Sequence, residues 1–164
     1  MENKTEQEFI KQIQQHQNLI HKICRIYTSC EDDHNDLFQE ITIQLWKAYP
    51  RFRGDAKFTT WAYRVALNTA ITLFRKKTKG INTIEIDSNI HRINIDEYNY
   101  EEEEQLRVMY RAIHQLGDID KALVFMYLED KDYREISETL GISEVNARVK
   151  MNRVKTKLKQ IINP

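Results

Sequence analysis

Apolar residues recur three and four positions apart over most of this chain, with polar residues between them, and the pattern divides into successive amphipathic helices. Phe9, Ile13, Ile20, Ile23 and Tyr27 share the first stripe. Thr5, followed three residues later by Glu8, carries the capping-box signature of a helix start. A polar break, TSCEDDHND, precedes a second stripe of Leu37, Ile41, Leu45 and Trp46 that ends at Pro50. Past RFRGDA a third helix starts near Thr59 or Thr60 and carries Trp61, Val65, Ala66, Ile71 and Phe74 up to a basic run and Gly80. The stretch INTIEIDSNIHRINIDEYNY, Ile81 to Tyr100, loses the period and mixes β-formers with acids, which fits an extended linker and leaves a short strand open. Helical signals resume with Leu106, Met109, Ile113 and Leu116, break at Gly117, and continue with Ala122, Leu123, Met126 and Tyr127. The pattern predicts an all-α protein: a helical domain over 1–80, an acidic flexible linker over 81–104 and a second helical domain over 105–164, the two domains cohering separately.

The last third of the chain carries the sharpest local signals. Asp132 with Glu135 forms a cap-like pair before YREISETL, Gly141 supplies a left-handed residue to end that helix, and Ser143 caps the next. Helix, LGIS turn and long basic helix make a helix-turn-helix pattern. With Ser143 as cap, Ala147, Met151, Val154 and Leu158 face the core. The opposite face holds Val145, Arg148, Val149, Asn152 and Thr156. Exposed valines gain nothing in water but fit thymine methyls, and Arg148 or Asn152 can read base edges in a major groove. Lys150, Arg153, Lys155, Lys157 and Lys159 lie along the flanks, where phosphates would be met. A solvated basic helix closing a bundle is the plainer alternative, and the capped turn before it is what that alternative fails to explain.

Charge sharpens this picture because the formal net charge of zero hides a partition. Arg51 to Lys79 holds eight basic residues against Asp55 alone, a local +7. Glu85 to Glu104 holds eight acids against Arg92, a local −7, and Ile142 onward holds six basic residues against Glu144, a local +5. Screening limits electrostatic reach to about 8 Å at physiological salt, so local charge decides whether phosphates are attracted. The same partition lets the acidic segment compete with DNA for either basic block. Within the first block, Phe52, Phe58, Trp61 and Tyr63 alternate with cations as in single-strand binders, although rings such as Trp61 and Phe74 also suit a core.

Other chemistry is thinly supported. His21, Cys24, Cys30 and His34 match no common zinc spacing, and Cys24 falls on the apolar side of its helix. No metal site or cofactor is expected. Two cysteines are too few for a disulfide framework. No phosphate loop or nucleophile elbow appears, so an enzyme is not expected. No apolar run approaches the roughly 20 residues of a membrane span, and the N-terminus lacks a signal-peptide pattern, so a cytoplasmic protein without membrane insertion is expected.

Two motifs in order resemble one family. DLFQEITIQLWKAYPRFRGDAKFTTWAYRVALNTAI, from Asp36, is similar to conserved region 2 of the extracytoplasmic-function sigma factors of bacterial RNA polymerase, and YREISETLGIS with its basic helix is similar to region 4. The resemblance implies a sigma factor that binds core RNA polymerase and promoter DNA, commonly held inactive by an anti-sigma factor. It implies that Asp36, Gln39 and Glu40 dock on the polymerase clamp. It further implies that the loop from Arg53 through Lys57 to Phe58, with Arg64 and Asn68, receives a base flipped out of the −10 element, and that the second domain reads the −35 element. Extruding a base costs a few kcal/mol, which cation, amide and ring contacts can offset. Ser137 stands where the family usually has alanine, and Thr72 where aspartate is frequent; both bear on promoter choice. Two other readings remain at this point: a dimeric helix-turn-helix repressor or activator, and a sigma-like interaction protein that titrates a regulator.

Overall fold

The computed structural model of the protein describes residues 2–80 and 100–164, with side chains described over 5–79 and 104–164. The chain runs α1 (Glu2–Tyr27), α2 (Glu31–Ala48), a 3₁₀ turn (Tyr49–Arg51), α3 (Phe58–Gly80), α4 (Tyr100–His114), α5 (Asp118–Leu128), α6 (Tyr133–Leu140) and α7 (Glu144–Ile162). All regular structure among the described residues is helical, as the periodicity predicts. Most of the expected linker, 81–99, lies outside the described residues, and so does its masking of the basic blocks.

Two boundaries differ from expectation. Helix α1 begins at Glu2, so Thr5 sits inside the helix instead of capping it. Helix α4 begins at Tyr100, so Glu101–Glu104, read above as linker, form its first turn. The backbone there is helical where composition alone suggests a solvated tether. Helix α1 also bends at His16, where φ is −118° and ψ 16°.

In the N-terminal half, Ile20, Ile23 and Cys24 of α1 meet Leu37, Ile41 and Leu45 of α2 and Ala66, Leu67 and Ala70 of α3, all buried. In the C-terminal half, Ile113, Leu123, Met126, Ile136, Ala147, Met151 and Val154 fill the space under α7. Full burial of one such Leu, Ile or Met stabilises by about 1.5–3 kcal/mol. The two sets form one continuous cluster. Helix α1 packs on α4 and α5, and α3 packs on α5 and α6. Helix α5 sits between the halves, which is why Lys121 through Met126 are buried without a break.

The buried Lys121 is accommodated by geometry. Its Nζ donates to the carbonyls of His114 (3.0 Å) and Leu116, satisfying oxygens at the end of α4, and lies 4.5 Å from the centre of the Phe74 ring of α3. Burial lowers its pKa to about 8. The Nε2 of the neighbouring His114 donates to the carbonyl of Arg25 at 2.8 Å and ties α4 to α1.

Candidate nucleic-acid and polymerase interfaces

The helix-turn-helix is built by three local devices. Asp132 accepts a hydrogen bond from the amide of Glu135 (2.8 Å), Gly141 ends α6 at φ +71°, and Ser143 accepts from the amide of Asn146 (3.0 Å). A side chain at Gly141 would be strained by that φ even though the space around it is open. The Ser137 hydroxyl, whose partner the sequence leaves open, donates to the carbonyl of Arg134 (2.8 Å).

Along α7, Ala147, Met151 and Val154 are buried and Leu158 half-buried, so the opposite face points outward as the spacing predicts. Val145 is 73% exposed and Val149 42%, beside exposed Arg148, Asn152, Arg153 and Lys157, with Lys150 half-buried. The guanidinium of Arg148 lies 5.2 Å from the centre of the Tyr133 ring, and the ammonium of Lys155 4.3 Å from that of Tyr127. Both tyrosines reach α7 from other helices, so periodicity does not announce these contacts. Tyr133 gives Arg148 a surface that limits its rotamers.

On α3, Arg64 and Asn68 are exposed one turn apart. Asn68 faces α2 across a polar cavity of about 290 Å³, shared with Gln44, Glu40, Thr72 and Lys76. Thr72 donates back to the carbonyl of Asn68 (2.8 Å), which turns its hydroxyl toward the helix. Arg53 and Lys57 are exposed in the loop before α3, which turns at Gly54 with φ +78°. Phe58 is half-buried. Its ring stacks on His16 at 5.3 Å, meets Trp61 at 5.5 Å and meets Phe52 edge-on at 6.0 Å. Packing thus holds these rings as the floor of the loop more than as free stacking platforms.

Asp36 and Gln39 are exposed on α2, and Glu40 is half-buried and accepts a hydrogen bond from Gln44 (2.9 Å). Asp36 and Glu40 border a groove of about 290 Å³ floored by Leu37, Ala70, Leu73 and Phe74, with Lys76 and Lys77 on the far bank. Lys77 bridges it to Asp33 at 3.0 Å, and that hydrogen bond holds the Asp33 carboxyl below the usual carboxylate range. An acidic bank over an apolar floor suits a partner helix that offers basic and apolar side chains together.

The suggested metal residues behave differently. His21 Nδ1 and His34 Nε2 lie 2.9 Å apart, joining α1 to α2, with Phe38 stacked on His21. Cys24 is buried and its thiol pushed up to about 12, while Cys30 is exposed ahead of α2. No group of three or more potential ligands occurs among the described residues. No described helix is long and apolar enough to cross a membrane.

Comparison with known proteins places these surfaces in context. The profile of Sigma-70 region 2 matches residues 12–80, and that of Sigma-70, region 4, matches residues 106–158. The chain is 23% identical over 163 residues to the ECF RNA polymerase sigma-E factor of Haemophilus influenzae, covering 93% of this chain and 86% of that one. It is 26% identical over 140 residues to the Escherichia coli K12 protein of the same name, covering 79% and 73%. Among solved structures it resembles CnrH in complex with the cytosolic domain of CnrY, at TM-score 0.68 and 17% identity, covering 96% and 89%. It also resembles the sigma factor RpoE of Bartonella quintana, solved with the anti-sigma factor NepR, at TM-score 0.73 and 14% identity, covering 94% and 96%.

Proposed function

The chain belongs to the sigma-70 family, in its extracytoplasmic-function branch, and on that premise we propose a division of labour among its surfaces. As a sigma factor it binds core RNA polymerase and promoter DNA and directs transcription initiation. Residues 1–80 serve as the domain for polymerase and the −10 element, 81–104 as the acidic linker, and 105–164 as the domain for the −35 element. Asp36, Gln39 and Glu40 dock on the polymerase. Arg53, Lys57, Arg64 and Asn68, with Phe58 flooring the loop, take the −10 strand. Val145, Arg148, Val149 and Asn152 read the −35 duplex, while Lys150, Arg153 and Lys157 meet phosphates.

The observation that carries this reading is the outward face of α7, where two valines, an arginine and an asparagine stand exposed behind a doubly capped turn. Family membership puts the chain in a non-enzymatic class. Its own contribution is therefore recognition and strand capture, RNA synthesis being the polymerase's chemistry, and its workplace is the cytoplasm. An anti-sigma protein is a further partner, as NepR is for the Bartonella sigma factor.

Run-off transcription with core polymerase tests the reading: the chain should support promoter-dependent synthesis as a monomer. A dimer that blocks or stimulates a preformed holoenzyme would favour the repressor or activator reading, and capture of a regulator without transcription the titrating protein. Arg148→Ala should weaken −35 duplex binding roughly tenfold, within the range for loss of one base contact. Asn68→Ala should weaken binding of single-stranded −10 DNA by a similar factor, about 1–2 kcal/mol, and leave the −35 duplex untouched. Unchanged single-strand affinity in the folded variant would remove Asn68 from the site.

A further inference from the structure

The apolar stripe of α1 has one polar interruption. Phe9, Ile13, Ile20, Ile23 and Tyr27 follow a helical spacing of four and three in which position 16 belongs, yet that position holds a histidine. The helix also bends there. No proline or glycine lies in α1, so the sequence supplies no local breaker and the bend calls for a cause in what the residue meets. Among the described residues the His16 ring has no hydrogen-bond or ion-pair partner; what it meets is Phe58, the first residue of α3, at 5.3 Å with 28° between the ring planes. Before the bend, Phe9 packs on Trp46 and Tyr49 at 5.0 and 5.1 Å, so α1 follows the end of α2 and then, at His16, touches the start of α3. Two further rings meet Phe58. Phe52 comes from the loop and Trp61 from the next turn of α3, so both travel with the segment they contact, whereas His16 is rooted in another helix. The amide of Trp61 donates to the carbonyl of Lys57 at 3.2 Å, which makes Lys57 move with Phe58 and the first turn of α3.

We propose that His16 is a positioning residue for the −10 strand: its ring anchors Phe58 to α1, and through Phe58 it holds the loop that presents Arg53 and Lys57. This rests on the assignment of that loop, with Arg64 and Asn68, to the −10 element made above. A loop held from a second helix has less freedom to lose when a strand arrives, which raises affinity without adding a contact to the strand. The loop has use for such a hold. It turns at Gly54 with φ +78°, and nothing lies within 4 Å of the place a Cβ would take there, so no neighbouring atoms brace the turn itself. An imidazole suits the task because position 16 is half-buried: one face packs on Phe58 while the polar edge stays in water.

The test uses the full chain assembled with core RNA polymerase, with core polymerase alone as the blank. Fluorescence anisotropy reads binding of a single strand that the parent selects from a random-sequence pool, and of the same strand with each base in turn replaced by an abasic site. In the parent, one abasic position should weaken binding about tenfold, in the range for one base contact. Two ringless variants follow: His16→Gln, whose side chain matches its neighbours Gln14, Gln15 and Gln17, and His16→Ala. In both, the intact strand should bind about tenfold more weakly and the abasic penalty should shrink to about twofold or less, while His16→Phe keeps both parent values within about twofold. Loss of helix packing alone would lower stability and leave the abasic penalty untouched. Persistence of the full penalty in either ringless variant, folded and bound to polymerase, therefore overturns the proposal. An equal loss in His16→Phe also overturns it, since the effect would then belong to the imidazole nitrogens and not to the ring. Failure of the underlying reading shows differently: either Asn68→Ala keeps the parent's abasic penalty, or the parent has no sensitive position, and in both cases the proposal falls with it.

Discussion

Phe125→Ala is expected to lower the unfolding free energy by about 3–5 kcal/mol, the range for removing a buried aromatic ring and leaving a cavity. Phe125 is 2% exposed on α5, and its ring centre lies 5.6 Å from that of Tyr63 on α3, tilted by 58°. It is therefore core to the C-terminal half and part of the contact with the N-terminal half. Collapse of the cavity is hindered because α5 is buried along six successive residues and cannot slide toward one side without opening the other. Urea unfolding followed by far-ultraviolet circular dichroism measures the loss. A cost below about 1 kcal/mol would mean that α5 repacks freely and is not the shared support described above.

Acidification from pH 7 to pH 5 is expected to lower the stability of the fold. His21, His34 and His114 are all held below the ordinary histidine value of 6.5. For His21 the cause is burial and then the Arg25 charge. For His34 it is burial, then His21 and Arg25. For His114 burial outweighs the opposing hydrogen bond to the Arg25 carbonyl, and Lys121 adds repulsion. The folded chain thus binds fewer protons than the unfolded chain just below pH 6.5, so stability falls as pH drops through that window. Each group contributes at most about 1.4 kcal/mol per pH unit, and the His21–His34 pair less because solvent screens it. The pair also needs one ring as acceptor across its 2.9 Å contact, and double protonation removes the acceptor. Asp33 and Asp118 are lowered below 3.8 and titrate outside this window. Unfolding free energies from urea titrations at the two pH values give the loss, and His34→Gln should make it smaller. An equal loss in that variant would exclude the pair as a cause.

What the sequence makes legible is what local chemistry decides. Asp132, Gly141 and Ser143 each act within four residues, so the turn and both helix ends around it follow from spacing alone. The outward stripe of α7 follows from the period. Thr5 misleads because a capping box marks a start only where the preceding residues cannot continue the helix, and Glu2, Asn3 and Lys4 do continue it. Leu106 and Tyr127 keep helical spacing but stay exposed at 41% and 43%, since a period gives a face and not what covers it. Tyr63 with Glu129 and Arg64 with Glu138 are 66 and 74 residues apart, and no short-range pattern encodes such pairs. On the proposed α3 site, the exposure of Arg64 and Asn68 is legible, while the packing of Phe58 is not, since its ring is recruited by neighbours from α1 and the preceding loop.

The ring cluster at the base of that loop has a spectroscopic consequence. The chain's two tryptophans, Trp46 and Trp61, both belong to the N-terminal half, each against neighbouring rings: Phe9 at 5.0 Å from Trp46, and Phe52 at 4.9 Å from Trp61. Indole emission therefore watches one half of the molecule, while α4 to α7 are silent to it. Backbone dichroism weighs both halves by their helical content. Coincident unfolding curves from the two signals would identify a single cooperative unit spanning the shared core, and an emission change that leads or trails the dichroism would resolve the halves in solution without any label.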